Sequence, residues 1–250
     1  MKKISPEGEF LPFPGTTILS SVRDADLGLL REIQEELESD ELIRQFFKVL
    51  PSENYHMTLT GLATQNEISD EAWKQVIDRD FENYQKINEY LKDFNLKPEV
   101  GVIGVGVGGA ISVSLEISHD QKKILQTLLS NIPPLLVADN PISVERTKFH
   151  MTLAYRYKEV TPEVLTEIQK RAEDIVNKYL KNKSEFTLGP AMLYFFRDMA
   201  LFHCWDGTEN PFIRLKTPRA STTHSQTFFS ERDVDEDSIP YSESPSSQKK

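Results

Sequence analysis

The chain has 250 residues, 38% of them hydrophobic and 27% charged, enough to bury one substantial core or two small lobes that share one. No apolar run approaches the roughly 20 residues that cross a bilayer, and the opening MKKISPEGEF lacks the apolar stretch of a signal peptide. The formal net charge of −10 disfavours a protein that tracks long or duplex nucleic acid, which needs a basic face; a small nucleotide or a short oligonucleotide end is the easier anionic partner. The single cysteine, Cys204, excludes an internal disulfide and a cysteine-based zinc site, and fits a reducing cytoplasm.

In chain order, Thr16–Val22 reads as a strand. An amphipathic helix follows with Leu27, Leu30, Ile33 and Leu37 at helical spacing, broken near Ser39-Asp40 and resuming with Leu42, Phe46 and Leu50. A strand carrying Tyr55-His56-Met57-Thr58-Leu59 comes next. Ser69-Asp70-Glu71 then opens a helix with Trp73, Ile77, Tyr84, Ile87 and Leu91 near one face, and a strand over 100–107 closes the half. The order then repeats. Ile111–Ile117 is a strand, and Ile124, Leu125, Leu128 and Leu129 mark a helix stopped by Pro133-Pro134. Phe149-His150-Met151-Thr152-Leu153 is a second histidine strand. The next helix has Pro162 at its first position and Leu165, Ile168, Ala172, Ile175 and Tyr179 inward, before a strand over 186–196 and a last one over 199–205. The two histidine segments are 150 − 56 = 94 residues apart.

The pattern predicts an α+β fold: a duplicated β-α-β-α-β unit with two lobes, over about 16–107 and 109–206, around a central cleft, with strands free to swap between them. Domain boundaries fall at 1–216 for the folded part and 217–250 for a tail. Ser, Thr, Pro and acidic residues dominate that tail and cannot bury enough apolar surface to offset ordering entropy, so it is expected to be disordered.

A strand sends successive side chains to opposite faces. Alternation puts Asn54, His56, Thr58 and Thr60 on one face of the first histidine strand. In the second, it groups Arg146, Lys148, His150, Thr152, Arg156 and Lys158, with Tyr155 on the apolar back. Cleaving a P–O bond needs a base for the attacking oxygen and an acid for the leaving one, and histidine fills either role near neutrality. Threonine hydroxyls two residues on can hydrogen-bond non-bridging phosphate oxygens, and Lys148 or Arg156 can supply a local positive field. No Asp/Glu cluster lies beside either histidine, so neither a metal nor another cofactor is expected.

The paired His-Met-Thr-Leu segments resemble the H-x-[TS]-x signature of the two-histidine (2H) phosphoesterase superfamily, which includes RNA ligase-like (LigT-like) and cyclic nucleotide phosphodiesterase enzymes. The likeness covers roughly residues 10–206, and the Phe10–Thr17 run is similar to the opening of a poorly characterised bacterial and fungal branch. It implies a duplicated two-lobe fold, His56 and His150 as the catalytic pair, and Thr58 and Thr152 as phosphate-binding hydroxyls. The implied activity is metal-independent hydrolysis of a cyclic phosphate or a short RNA or nucleotide phosphodiester; separately, the chain is expected to be a cytoplasmic monomer. Lys148, Arg156 and Tyr155 are candidate substrate contacts.

Two other classes stay open. One is a module that binds a nucleotide or phosphorylated ligand without turnover; the other is an interaction protein acting through its tail. That tail is similar to the unstructured, glutamate-rich signals of type IV secreted bacterial effectors. The chain has no K-x-D-G nucleotidyl-lysine motif, which argues against ATP-dependent ligation. His119 reads as a local cap, His203 as structural with pocket lining the alternative, and His224 as a tail residue. Gly104–Gly109 matches G-x-G-x-x-G but is followed by a strand, so it reads as a bend or inter-lobe hinge, not a dinucleotide loop. Tyr155, Phe195 and Trp205 are candidate base-stacking surfaces.

Overall fold

A computed structural model describes residues 3–66, 69–78, 81–132, 148–180 and 185–208. Pro133-Pro134, Arg146, Thr147, the side chain of Ile77, His224 and the whole segment 217–250 lie outside the described residues. Residues 1–216 form one compact unit.

Strand β1 (Gly15–Ser21) is buried along nearly all its length because it is flanked by partners on both edges. Helix α1 (Asp24–Ser39) carries Asp24 and Asp26 in its first turn, where the helix dipole favours negative charge. It buries Leu30, Ile33 and Leu37 completely, each worth about 1.5–3 kcal/mol. The break at Asp40 has a direct cause: its Oδ1 accepts from the backbone N–H groups of Leu42 at 3.0 Å and Ile43 at 2.9 Å, capping a second helix, α2 (Glu41–Phe46). The helix does not continue to Leu50. Phe47–Val49 is a strand, β2, with Phe47 and Val49 inward and Lys48 outward, a period of two that only an extended chain delivers.

A 3₁₀ turn (Ser52–Asn54) leads into β3 (His56–Thr64). The stretch expected to be helical from Ser69 onward carries α3 (Asp70–Asp78) and α4 (Phe81–Phe94), with 79–80 outside the described residues. Strands β4 (Glu99–Val107) and β5 (Ala110–Ile117) form a tight hairpin: Gly108 N–H donates to the Ala110 carbonyl at 2.9 Å. Gly104 and Gly106 therefore lie within β4, and Gly108-Gly109 form the bend, as a hairpin turn. Ile103 is bulged out of β4 and 64% exposed. Helix α5 (His119–Ser130) is capped by Ser118, whose hydroxyl accepts from Gln121 N–H at 3.2 Å; the capping expected of His119 belongs to its neighbour.

After β6 (Phe149–Arg156) and α6 (Pro162–Leu180), the single strand expected over 186–196 is two, β7 (Glu185–Thr187) and β8 (Met192–Phe196), followed by β9 (Phe202–Cys204). Gly189 packs against Ser21, whose carbonyl accepts its N–H at 2.8 Å. Pro190 has no N–H for a ladder, so the chain leaves one sheet edge and re-enters at the other. The described strands form one antiparallel sheet in the order β7-β4-β5-β6-β3-β1-β8-β9, with β2 also pairing β6. Helix α6 packs on β4 and α1 on α6, while α3 lies against β3 and α4 against β8.

The fold is thus mixed α/β on an antiparallel sheet. Each half of the chain lends its closing strands to the other: β4 pairs with β5, and β8 pairs with β1. The two histidine strands also have matching surroundings. Ser21↔His56, Ser20↔Met57 and Leu19↔Thr58 on β1–β3 correspond to Ser114↔His150, Val113↔Met151 and Ser112↔Thr152 on β5–β6. Among the described residues, no helix is long and apolar enough to cross a membrane.

Candidate active site

Strands β3 and β6 meet antiparallel through the pair Met57↔Met151. These two methionines hold the same place in the two His-Met-Thr-Leu segments. The antiparallel direction of the two strands from that pair sends His56 toward the Thr152 side and Thr58 toward the His150 side. Met57 and Met151 are buried at 0% and 3% exposure. Their neighbours therefore face away from that core: His56, Thr58 and Thr152 are half-buried and His150 is exposed. The four motif side chains are brought to one stretch of one sheet face.

Each motif is followed by a β-bulge at the equivalent residue. Thr58 and Thr60 pair with consecutive residues of β1, skipping Leu59; Thr152 and Ala154 pair with consecutive residues of β5, skipping Leu153. A bulge shifts the alternation by one, and here it overturns three sequence expectations. Thr60 goes into the core at 4% exposure instead of joining His56. Tyr155 moves off the apolar back and onto the histidine face, while Arg156 leaves that face and sits opposite Phe47 of β2. The cause is local: Leu59 with Thr60, and Leu153 with Ala154, are consecutive buried residues, which a regular pleat cannot provide. Lys148 is exposed just before β6, and Lys158 lies over the Tyr157 ring, its Nζ 5.0 Å from the centroid.

The His56 ring is fixed from two sides. Its Nδ1 lies 2.6 Å from the Asn54 backbone oxygen. A carbonyl only accepts, so Nδ1 carries the proton and Nε2 keeps its lone pair. Phe202 of β9 packs on the ring, with centroids 4.4 Å apart. Part of the ring surface stays open, yet the surrounding protein strips it of enough water to push its pKa from 6.5 down to about 4. The positive charges of His150 and Lys3 act in the same direction, against the Asn54 carbonyl. His56 is therefore neutral at pH 7 and senses the charge on His150.

Several contributors were not legible in the sequence. Asn54, expected on the His56 strand face, instead ends the preceding turn. Its side chain donates to the Ala200 carbonyl and accepts from Phe202 N–H at 3.4 Å. One residue thus holds the β8–β9 turn with its amide and the His56 tautomer with its carbonyl. Phe202, not His203, faces the site; His203 stacks on Phe195 at 5.1 Å. Trp205 is buried at 3% exposure and meets Phe81 edge-on, which removes it as a stacking surface. Lys3 places its Nζ 4.9 Å from the Tyr155 centroid, and no periodicity could have signalled a residue so near the N-terminus. Two surface cavities of about 760 and 430 Å³ lie elsewhere, one between β4, β5, β7 and the start of α5, the other beside β2. Neither is lined by a motif residue, and the chemistry of the paired histidines outweighs their size in locating the site. Among the described residues, no group of three or more His, Cys, Asp or Glu is arranged to hold a metal.

Residues 3–100 match the family described as 2H-phosphodiest: Domain of unknown function (DUF1868), which supports the resemblance to the 2H phosphoesterase superfamily. No curated protein matches the chain. Among solved structures, the chain is similar to a conserved protein of unknown function, ATU0111, from Agrobacterium tumefaciens str. C58. The TM-score is 0.59 at 18% identity, over 82% of this chain and 89% of that one, which shows a shared fold. It is also similar, with TM-scores of 0.40 and 0.41 and 10% identity, to Kluyveromyces marxianus Usb1 alone and with uridine monophosphate. Those matches cover 78% and 77% of this chain and 98% and 97% of theirs.

Proposed function

From the two-histidine phosphodiesterase match of residues 3–100, we propose that this chain hydrolyses a cyclic phosphate or a short RNA or nucleotide phosphodiester without a metal. His56 and His150 are the acid–base pair of this reaction, on a duplicated β-α-β-α-β unit that has exchanged its closing strands. The observation that carries the reading is the Met57↔Met151 seam. It sets two copies of one His-x-Thr segment antiparallel, so that a phosphorus atom between them meets one imidazole and one hydroxyl from each side. The matching registers of β1–β3 and β5–β6 support the duplication.

The Nδ1–H tautomer of His56 supports its role as the base. In the attack step, neutral His56 accepts at Nε2 the proton of a water or a neighbouring ribose hydroxyl as its oxygen bonds to phosphorus. His150, as imidazolium, gives a proton to the departing oxygen as the P–O bond breaks. Thr58 and Thr152 donate hydrogen bonds to the non-bridging oxygens, where charge accumulates. Reversal of the same steps would return a cyclic phosphate. Holding Nδ1–H on a backbone carbonyl is the familiar way to keep a catalytic imidazole in one tautomer.

The test is a panel of 2′,3′-cyclic, 2′,5′-linked and 3′,5′-linked substrates against wild type, His56→Ala, His150→Ala and the double variant, with product phosphate positions identified. Each single variant is expected to lose on the order of 10²–10⁴-fold in rate while staying folded, and wild-type activity is expected to survive EDTA. Wild-type protein that binds nucleotides but turns over none of the panel would replace the enzyme by a binding module. A strict metal requirement would refute the two-histidine chemistry.

A further inference from the structure

The N-terminal segment brings a cation to the histidine face. Residues 4–11 form a closed turn. Ile4 is buried at 3% exposure and bridges Phe10, and the Ser5 hydroxyl accepts from Glu7 and Glu9 N–H groups, each at 3.2 Å. Gly8 closes the turn at φ +86°, a conformation that favours glycine. Leu11 N–H donates to the Lys3 carbonyl at 2.9 Å, and Phe13 N–H to the Arg197 carbonyl at 2.7 Å, which fastens the segment to the turn between β8 and β9.

This anchoring sets the Lys3 ammonium over two rings, 4.9 Å from the Tyr155 centroid and 5.2 Å from the Phe13 centroid. Tyr155 is the side chain that the Leu153 bulge turns onto the face of Thr152 and His150. Among the described residues, no carboxylate lies within ion-pair distance of Lys3. A ring face orients a cation without neutralising it, so the whole charge stays available to an incoming anion. The charge already reaches the site, because Lys3 is one of the cations that disfavour a proton on His56. Beside the His150 imidazolium of the proposed reaction and Lys148 at the start of β6, the site has a neutral His56 and two neutral hydroxyls in a chain of net charge −10, so a second fixed cation strengthens the hold on a dianion or phosphodiester. Arg156 has been turned away.

We propose that Lys3, held by Tyr155 and Phe13, binds the phosphate oxygens of the substrate at the two-histidine face. The assignment rests on the phosphodiesterase reading, and it makes the N-terminal turn part of the site and Tyr155 a support for the cation, not a base-stacking surface.

The full chain, Lys3→Met, Lys3→Arg and a charge control on the exposed face of α5, Lys123→Met, are titrated with inorganic phosphate and with adenosine 2′,3′-cyclic monophosphate. Calorimetry reads affinity, and NMR reads the His56 ring protons. Lys3→Met is expected to bind both ligands about tenfold more weakly, the scale of one charge-assisted contact, and to raise the titration midpoint of His56. Lys3→Arg should stay within about threefold of wild type, since the charge is kept, and Lys123→Met should match it. Lys3→Gln replaces the Met variant should that one lose its fold. Undiminished binding by a folded Lys3→Met or Lys3→Gln protein overturns the inference and leaves the parent reading standing. Wild-type protein that binds neither ligand and hydrolyses no substrate removes both.

Discussion

The depressed basicity of His56 couples function to stability and can be measured without a substrate. In the unfolded chain this imidazole takes a proton near its ordinary pKa of 6.5; in the folded protein it resists until about 4. Between those values the unfolded state binds more protons, so stability is complete above the upper one and is lost as pH falls toward the lower. From about pH 7.5 to about pH 4.5 the loss assigned to this group is about 2.5 kcal/mol for a fully desolvated ring. His56 is half-buried, so solvent access reduces this to about 1–2.5 kcal/mol. Other groups titrate over the same range, and comparison with His56→Gln cancels them to first order. The assay is urea unfolding of both proteins at the two pH values. The stability difference between wild type and His56→Gln should shrink by that amount on acidification, with the His56 ring protons titrating below about pH 5. A difference that stays flat, or widens in acid, would refute the claim that the folded protein keeps this ring neutral.

The same cause sets the acidic limb of kcat/KM, which reports the free enzyme's base; it should fall near pH 4, with activity lost below it, and a limb at 6.5 would exclude His56 as that base. Asn54→Ala removes the amide that ties Ala200 and Phe202 to the turn before β3. It should cost about 1–3 kcal/mol in unfolding free energy and lower kcat more than it raises KM, as steady-state kinetics would show. Thr58→Val and Thr152→Val are each expected to cost about tenfold in kcat/KM through one lost hydrogen bond to charge developing at phosphorus. A Cβ at Gly15 would meet Phe196 Cζ at 2.6 Å and the Ala63 carbonyl oxygen at 2.8 Å. Gly15→Ala should therefore destabilise by about 1–3 kcal/mol through overpacking, visible in thermal melting.

Much of the site was legible in the sequence because repetition and alternation are local properties. The offset of 94 residues paired His56 with His150, and the period of two assigned His-x-Thr to the face opposite Met57 and Met151, which is where burial puts them. Hydrophobic spacing likewise located α1, α5 and α6, since one apolar face has to be buried whatever covers it. The boundaries that failed depended on partners: Phe47–Val49 became a strand because β6 offered an edge, and 186–196 divided because β4 and β1 lie at opposite sides of the sheet. The bulges at Leu59 and Leu153 belong to the same class, for two consecutive inward residues are explained only by what packs on them. From them follow the placement of Tyr155, the removal of Arg156 and the seat for Lys3. The residue types proposed for acid–base chemistry were set by the one-dimensional pattern. Which cation stands beside them, which nitrogen of His56 holds the proton and how hard that proton is to add were set by three-dimensional packing, because each depends on groups that folding alone brings into contact.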